Sequence, residues 1–179
     1  MPLIPTLTTP RLILRSYTLA DFDAYAAMWS EPGVVRFIGG APLSREVAWA
    51  RFLRQFGLWH HLGFGGFVVE DRASGVLIGE VGFHDLRRAI VPSLEGTMET
   101  GWVLVGAAQG KGLAEEAVRV ALGWADTHHA GTRITCMIQS EHAASLHVAG
   151  KLGFVPFADT LYNGNEVTLL ERPRPSGAG

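Results

Sequence analysis

The sequence predicts a single α/β domain in which helices pack on one sheet, and three observations carry that prediction. With 179 residues, 47% of them apolar, the chain can fill one proper core but not two comfortable ones. Strand-like and helix-like segments follow one another in the order β-α-α-β-β-β-α-β-α-β-β, the mixture expected of helices laid on a sheet. A glycine turn, Gln109-Gly110-Lys111-Gly112-Leu113-Ala114, joins an apolar strand directly to an amphipathic helix.

Taken in order, Arg11 to Tyr17 alternates loosely enough for a first strand. Thr18-Leu19-Ala20-Asp21 reads as a helix start, and Phe22, Tyr25, Ala26 and Trp29 continue it at helical spacing as far as Pro32-Gly33. Ser44 caps a second helix, with Val47, Ala50, Leu53 and Gly57 on one line, aromatic residues Trp49, Phe52, Phe56 and Trp59 widening its apolar face, and Gly63 to Gly66 ending it. Phe67 to Glu70 and Val76 to Leu86 form a hairpin around Asp71 to Gly75. A loop from Arg87 to Gly96 leads to the strand Thr97 to Val105 and then to the glycine turn. Behind it, Ala114, Ala117, Val118, Ala121, Leu122 and Ala125 make an apolar stripe that packs on the sheet, with the helix ending near Gly131. Arg133 to Ile138 is a β-branched strand, Glu141 to Leu152 a short helix closed by Gly153, and Val155 and Val167 begin a last pair of strands.

Composition narrows the function. Only 18% of residues are charged, the net charge is -2 and the longest Lys/Arg run is Arg87-Arg88, so no nucleic-acid or anionic-membrane footprint is expected. Cys136 is the only cysteine and lies in an apolar run, which points to a buried thiol in a reducing, cytoplasmic compartment. No stretch approaches the ~20 apolar residues of a membrane span, and Met1-Pro2-Leu3-Ile4-Pro5 does not read as a signal peptide. The domain is expected to cover residues 1–172, with 173–179 a frayed Pro- and Gly-rich tail.

A glycine turn that opens a helix exposes unpaired N–H groups at the positive end of the helix dipole and so forms an anion site. Lys111 is followed by Gly112 with no Ser or Thr behind it, which breaks the P-loop pattern. Gly110-x-Gly112-x-x-Glu115 lacks the third glycine of the dinucleotide fingerprint.

Four segments at matching spacing resemble the GNAT superfamily of N-acetyltransferases, in the branch that includes the ribosomal-protein N-terminal acetyltransferases. They are Thr9-Pro10-Arg11-Leu12-Ile13-Leu14-Arg15, Ile78-Gly79-Glu80-Val81-Gly82-Phe83, Glu99-Thr100-Gly101-Trp102-Val103-Leu104 with the turn Gln109 to Ala114, and Lys151-Leu152-Gly153-Phe154. The resemblance implies a mixed, mostly antiparallel twisted sheet of about seven strands flanked by four helices, opening in a V between the fourth and fifth strands. It further implies acetyl-CoA as cosubstrate and no metal. The pyrophosphate would rest on the N–H groups of Gln109, Gly110, Lys111, Gly112, Leu113 and Ala114, and the pantetheine arm would pair with the main chain of Trp102, Val103 and Leu104.

Acetyl transfer to an amine needs the amine neutral, a preorganised donor for the developing oxyanion, and a proton for the leaving thiolate. A chain-terminal ammonium has a pKa of about 8 and a lysine about 10.4, so a base is useful at neutral pH. Matching position makes Glu99 the first candidate, against the alternative of a solvated strand-end carboxylate. Glu80 and His84 lie two residues either side of Gly82, share one face of their strand and are second choices. Many relatives place a thiolate-protonating tyrosine where this chain has Ala149; the resemblance instead offers Ser145, against the alternative of a first-turn cap residue. His142 stands where that branch has asparagine, and its imidazole could bond to pantetheine or supply a proton near pH 7.

The histidine pairs His60-His61 and His128-His129 point different ways from a helix and do not have metal-ligand spacing. Cys136 alternates with Ile134 and Ile138 and reads as core. The acceptor implied is a protein N-terminus or a small amine, shaped by the loops Val34 to Leu43 and Arg87 to Gly96, and a homodimer is expected because relatives often pair. The competing expectation is a non-catalytic acyl-CoA-binding module of the same fold, which the departures at His142 and Ala149 would fit.

Overall fold

In the computed structural model, residues 4–173 are described. Met1 to Leu3, and all of the expected tail except Pro173, lie outside the described residues. The elements in order are β1 (Leu7–Thr8), β2 (Leu12–Arg15), α1 (Phe22–Ser30), α2 (Pro32–Val35), α3 (Arg45–Leu62), β3 (Gly66–Asp71), β4 (Leu77–His84), β5 (Met98–Leu104), α4 (Leu113–His128), β6 (Ile134–Gln139), α5 (Ala143–Lys151), β7 (Val155–Tyr162) and β8 (Asn165–Arg172). One sheet holds all eight strands in the order β1-β2-β3-β4-β5-β6-β8-β7, antiparallel except where β5 meets β6.

The sheet is the one predicted, with one more strand and one more helix. β1 is too short to show an alternating pattern and exists because Leu7 and Thr8 pair with Leu14 and Ile13 of β2. Pro32-Gly33 does end α1, but Glu31 turns the chain and Pro32 then starts α2, a first-turn position where a missing N–H costs nothing.

The predicted stripe on α3 needs correction. Val47 and Leu53 are exposed, whereas Phe52 and Trp59 of the expected aromatic face are buried, together with Ala48, Gln55 and Leu58. The buried Gln55 accepts the Gly66 N–H at 3.2 Å and Trp59 donates to the Gly66 carbonyl at 2.8 Å, so two polar groups fasten α3 to β3. Ser44 caps α3 as expected, accepting from the Val47 N–H at 3.3 Å, and Gly63 closes it in the left-handed region.

Each face of the sheet carries a core. On one, Leu12, Leu14, Val69, Val81 and Phe83 meet Ala117, Val118, Ala121, Leu122 and Ala125, the stripe predicted for α4. On the other, Val68 and Val103 meet Tyr25 and Trp29 of α1 and Phe52 of α3. Strands buried on both faces leave few polar positions, so a polar cluster among them marks the site.

Candidate active site

β4 and β5 form the floor of a cleft on the α1 and α3 side. Their register places Glu80 opposite Val103, Gly82 opposite Gly101 and His84 opposite Glu99. The facing glycines hollow the floor between polar neighbours. A side chain on Gly82 would run into the Gly65 carbonyl, and one on Gly101 would come within 3.1 Å of His84 Nε2. Glu80, His84 and Glu99, the three predicted acid-base candidates, all line this cleft.

Their settings differ. Arg88 holds Glu99 in a two-pronged ion pair, with Nε to Oε2 at 2.7 Å and Nη2 to Oε1 at 2.8 Å. Glu99 is therefore not a solvated strand-end carboxylate: its side chain is 6% exposed. Glu80 accepts from the Tyr17 hydroxyl at 2.9 Å and lies 3.4 Å from Arg51. Burial, with Arg51, Arg88 and Arg54 nearby, pushes His84 down to about 3, so its imidazole is neutral at physiological pH.

Beyond Glu99 the sheet opens. The Met98 N–H donates to the Arg133 carbonyl at 2.9 Å, the register runs through Met98 opposite Ile134 and Glu99 opposite Thr135, and no further pair joins β5 to β6. This is the V expected between the fourth and fifth long strands. Trp102 and Val103 line the opening, whereas the Leu104 side chain belongs to the core and its carbonyl accepts from Gln109 Nε2 at 2.9 Å. Cys136 is 1% exposed and burial raises its thiol pKa, as a core position requires.

The glycine turn lies past the C-terminal end of β5. Gly110 and Gly112 adopt φ of 72° and 73°, a conformation that costs other residues roughly 1–2 kcal/mol. The Gln109 N–H is already donated to the Gly106 carbonyl at 3.2 Å, so the run of free N–H groups starts one residue later than the sequence suggests. Among the described residues, no acceptor engages the N–H groups of Gly110, Lys111, Gly112, Leu113 or Ala114. The carboxylates in the first turn of α4 are occupied elsewhere: Glu115 pairs with Arg119 and Lys151, and Glu116 with Arg11. Arg11 also donates to the Lys111 carbonyl at 2.9 Å and so steadies the turn. The turn thus leaves five successive N–H groups unengaged at the start of α4.

At the start of α5, on the other wall of the opening, Ser145 Oγ lies 3.5 Å from His142 Nε2. His142 is the N-cap residue of α5, and its side chain makes no cap hydrogen bond to the helix. Burial lowers the His142 pKa, and its ring stacks on Phe37 with centroids 4.3 Å apart. The imidazole is thus neutral near pH 7, a poorer proton source than the sequence reading supposes.

Sequence reasoning missed the cleft's cations and one aromatic residue. Arg51 and Arg54 come from α3, Arg88 from the loop after β4, and Tyr162 from the end of β7. Tyr162 accepts from Arg88 Nη1 at 3.1 Å. It is placed there by a two-residue turn in which Asn163 and Gly164 have φ of 52° and 80°, the Asn-Gly signal of a tight hairpin. No group of His, Cys, Asp and Glu among the described residues could hold a metal ion, and no helix among them is long and apolar enough to cross a membrane.

A sheet parted between two parallel strands, with unengaged N–H groups at one end and buried carboxylates at the other, is the layout of an acyltransferase scaffold. The chain belongs to the GNAT acetyltransferases: the family model of the acetyltransferase (GNAT) domain matches residues 11–155. The uncharacterized N-acetyltransferase p20 of Bacillus licheniformis is 29% identical over 153 residues, which span 83% of this chain and 82% of p20. A GnaT-family acetyltransferase from Bordetella pertussis superposes with a TM-score of 0.85 at 32% identity, covering 94% of this chain and 99% of that one. RimL, a ribosomal L7/L12 α-N-protein acetyltransferase solved with coenzyme A, shares the fold at 16% identity and a TM-score of 0.74, over 94% of this chain and 97% of its own.

Proposed function

We propose that this N-acetyltransferase uses acetyl-CoA and passes the acetyl group directly to a primary amine in the cleft over Gly82 and Gly101. The observation that carries the reading is the parting of β5 from β6 immediately after Glu99. It leaves Trp102 and Val103 beside the gap, between the free N–H groups of Gly110 to Ala114 and the polar cluster at the fork. RimL holds coenzyme A on the same fold.

Acetyl-CoA supplies the activated acyl group. In this reading the N–H groups of Gly110 to Ala114 bind the pyrophosphate and Lys111 adds charge. Trp102 and Val103 orient the pantetheine arm, with His142 beside it. Glu99 keeps free lone pairs while Arg88 grips it, so it can accept an N–H of the incoming ammonium and position it. Glu80, on the same floor, shares the removal of the proton through water, and neutral His84 offers a further hydrogen bond. Ser145 Oγ–H donates to the departing thiolate and regains its proton from solvent, with neutral His142 beside it.

The test is release of free thiol from acetyl-CoA in the presence of a panel of amines and peptides. Amine-dependent release, with acetylated product seen by mass spectrometry, is the expected result. A rise in melting temperature with CoA but no release across the panel would overturn the enzymatic reading in favour of a CoA-binding module.

A further inference from the structure

The charges around the acceptor cleft do not balance. Arg51, Arg54, Arg88, Glu80 and Glu99 line it, and His84 between them is neutral. Arg88 is matched by Glu99 and Arg51 by Glu80, whereas Arg54 has no carboxylate partner and no hydrogen bond among the described residues. Arg54 sits one turn along α3 from Arg51, exposed at the mouth of the cleft. Two like charges at that spacing repel. Burial, and after it the Arg51 charge, lower the Arg54 pKa, while Glu80 acts in the opposite sense.

A guanidinium so placed is a fork for a planar or tetrahedral anion, and it disfavours a second cation on the substrate. We propose that the acceptor is an amine that also carries an anionic group, a carboxylate or a phosphate, and that Arg54 is the residue that binds that group. This rests on the acetyl-transfer reading and adds the substrate class: the amine lies over Gly82 and Gly101 toward Glu99, and the anion faces α3. Polyamines, which bring further positive charge, are selected against.

The experiment compares matched acceptors: amino acids with their carboxamides, O-phosphoethanolamine with ethanolamine, and spermidine, each with acetyl-CoA. The acid or the phosphate is expected to exceed its neutral partner by at least about tenfold in kcat/KM, the acid and phosphate arms showing which anion is used. Arg54→Gln should collapse that ratio toward one, mainly through KM, and Arg54→Lys, which keeps the charge without the fork, should fall between. Binding of N-acetylated amino acids and their amides to the CoA complex, followed by calorimetry, reads the same preference without turnover. An equal CoA-induced rise in melting temperature in wild type and variants shows that the variants are folded. Preference for spermidine or for the neutral partners, or an Arg54→Gln ratio equal to wild type, overturns the proposal while leaving acetyl transfer intact. Acid-selective binding lost in Arg54→Gln, with no turnover of any amine, would sink the transfer reading instead.

Discussion

Arg88 grips Glu99 through both carboxylate oxygens, at 2.7 and 2.8 Å, at the point where β5 and β6 part. The pair is nearly buried, with side chains 18% and 6% exposed, and the Tyr162 ring and hydroxyl close over the guanidinium. Removing one partner strands a buried charge, which costs about 3–5 kcal/mol for a fully buried pair and about 2–3 kcal/mol at this exposure. Arg88→Met should therefore destabilise the fold by that amount in urea unfolding, and Arg88→Met combined with Glu99→Gln should recover at least about 1 kcal/mol of it. Additive losses in the double variant would show that the two groups do not act as a unit.

Gly112 caps α4 with φ of 73°, and a Cβ there would make only an ordinary contact, with Arg11 Nη2 at 3.7 Å. The requirement there is conformational. Gly112→Val would force the turn out of the left-handed region and change the course of the backbone that carries the free N–H groups. Calorimetric CoA affinity should fall by about tenfold or more. Gly33→Ala, in a helical position with nothing within 4 Å, should leave it unchanged. A Gly112→Val protein that is folded and binds CoA normally would remove the turn from the binding site.

His84 gives a pH signature with a definite sign. Its folded pKa, about 3, lies below the unfolded value of about 6.5, so the unfolded chain binds more protons. The contribution is fully present above pH 6.5 and is lost as pH falls toward 3. Each unit in that window costs about 1.4 kcal/mol, or roughly 2–3 kcal/mol by pH 4.5. Carboxylates whose pKa values are lowered, such as Asp21 and Glu116, also destabilise the fold on acidification. The difference between wild type and His84→Gln isolates the imidazole. Parallel stability curves from pH 7 to 4.5 would mean His84 is protonated as freely in the folded state as in the unfolded.

Much of the fold was legible because its signals are local. The α4 stripe reads cleanly since Ala117, Val118, Ala121, Leu122 and Ala125 all face one core. The stripe on α3 escapes a sequence reading because its buried line contains Gln55, a polar side chain made tolerable by the Gly66 N–H it accepts, while Val47 and Leu53 remain in solvent. The same distinction governs the site. Glu80, His84 and Glu99 could be placed on one surface from strand periodicity and family likeness, and the register confirms their alignment. Arg51, Arg54 and Arg88 could not, because a cation on an amphipathic helix or in a loop looks like any solvated charge until α3 docks on β3 and β4. Tyr162 was within reach of sequence reading, since Asn163-Gly164 is a hairpin signal that fixes which residues flank the turn.

The His142 contacts separate thiolate protonation from acceptor binding. One face of the ring stacks on Phe37, which comes from the segment after α2, and one edge reaches Ser145 Oγ at 3.5 Å. Ser145→Ala removes the hydroxyl that would protonate the thiolate, so kcat should drop by about tenfold to a hundredfold, with CoA affinity within about twofold of wild type. Phe37→Ala leaves the hydroxyl in place and frees the Ile38 to Leu43 segment of the cleft wall from α5. Its main effect should be a rise in acceptor KM of severalfold, at little cost in kcat. Steady-state kinetics with thiol detection, paired with CoA calorimetry, distinguishes the two. Loss of CoA affinity as large as the loss of kcat in Ser145→Ala would make the serine a binding residue, and equal falls in kcat for both variants would mean Phe37 acts on the chemistry through His142.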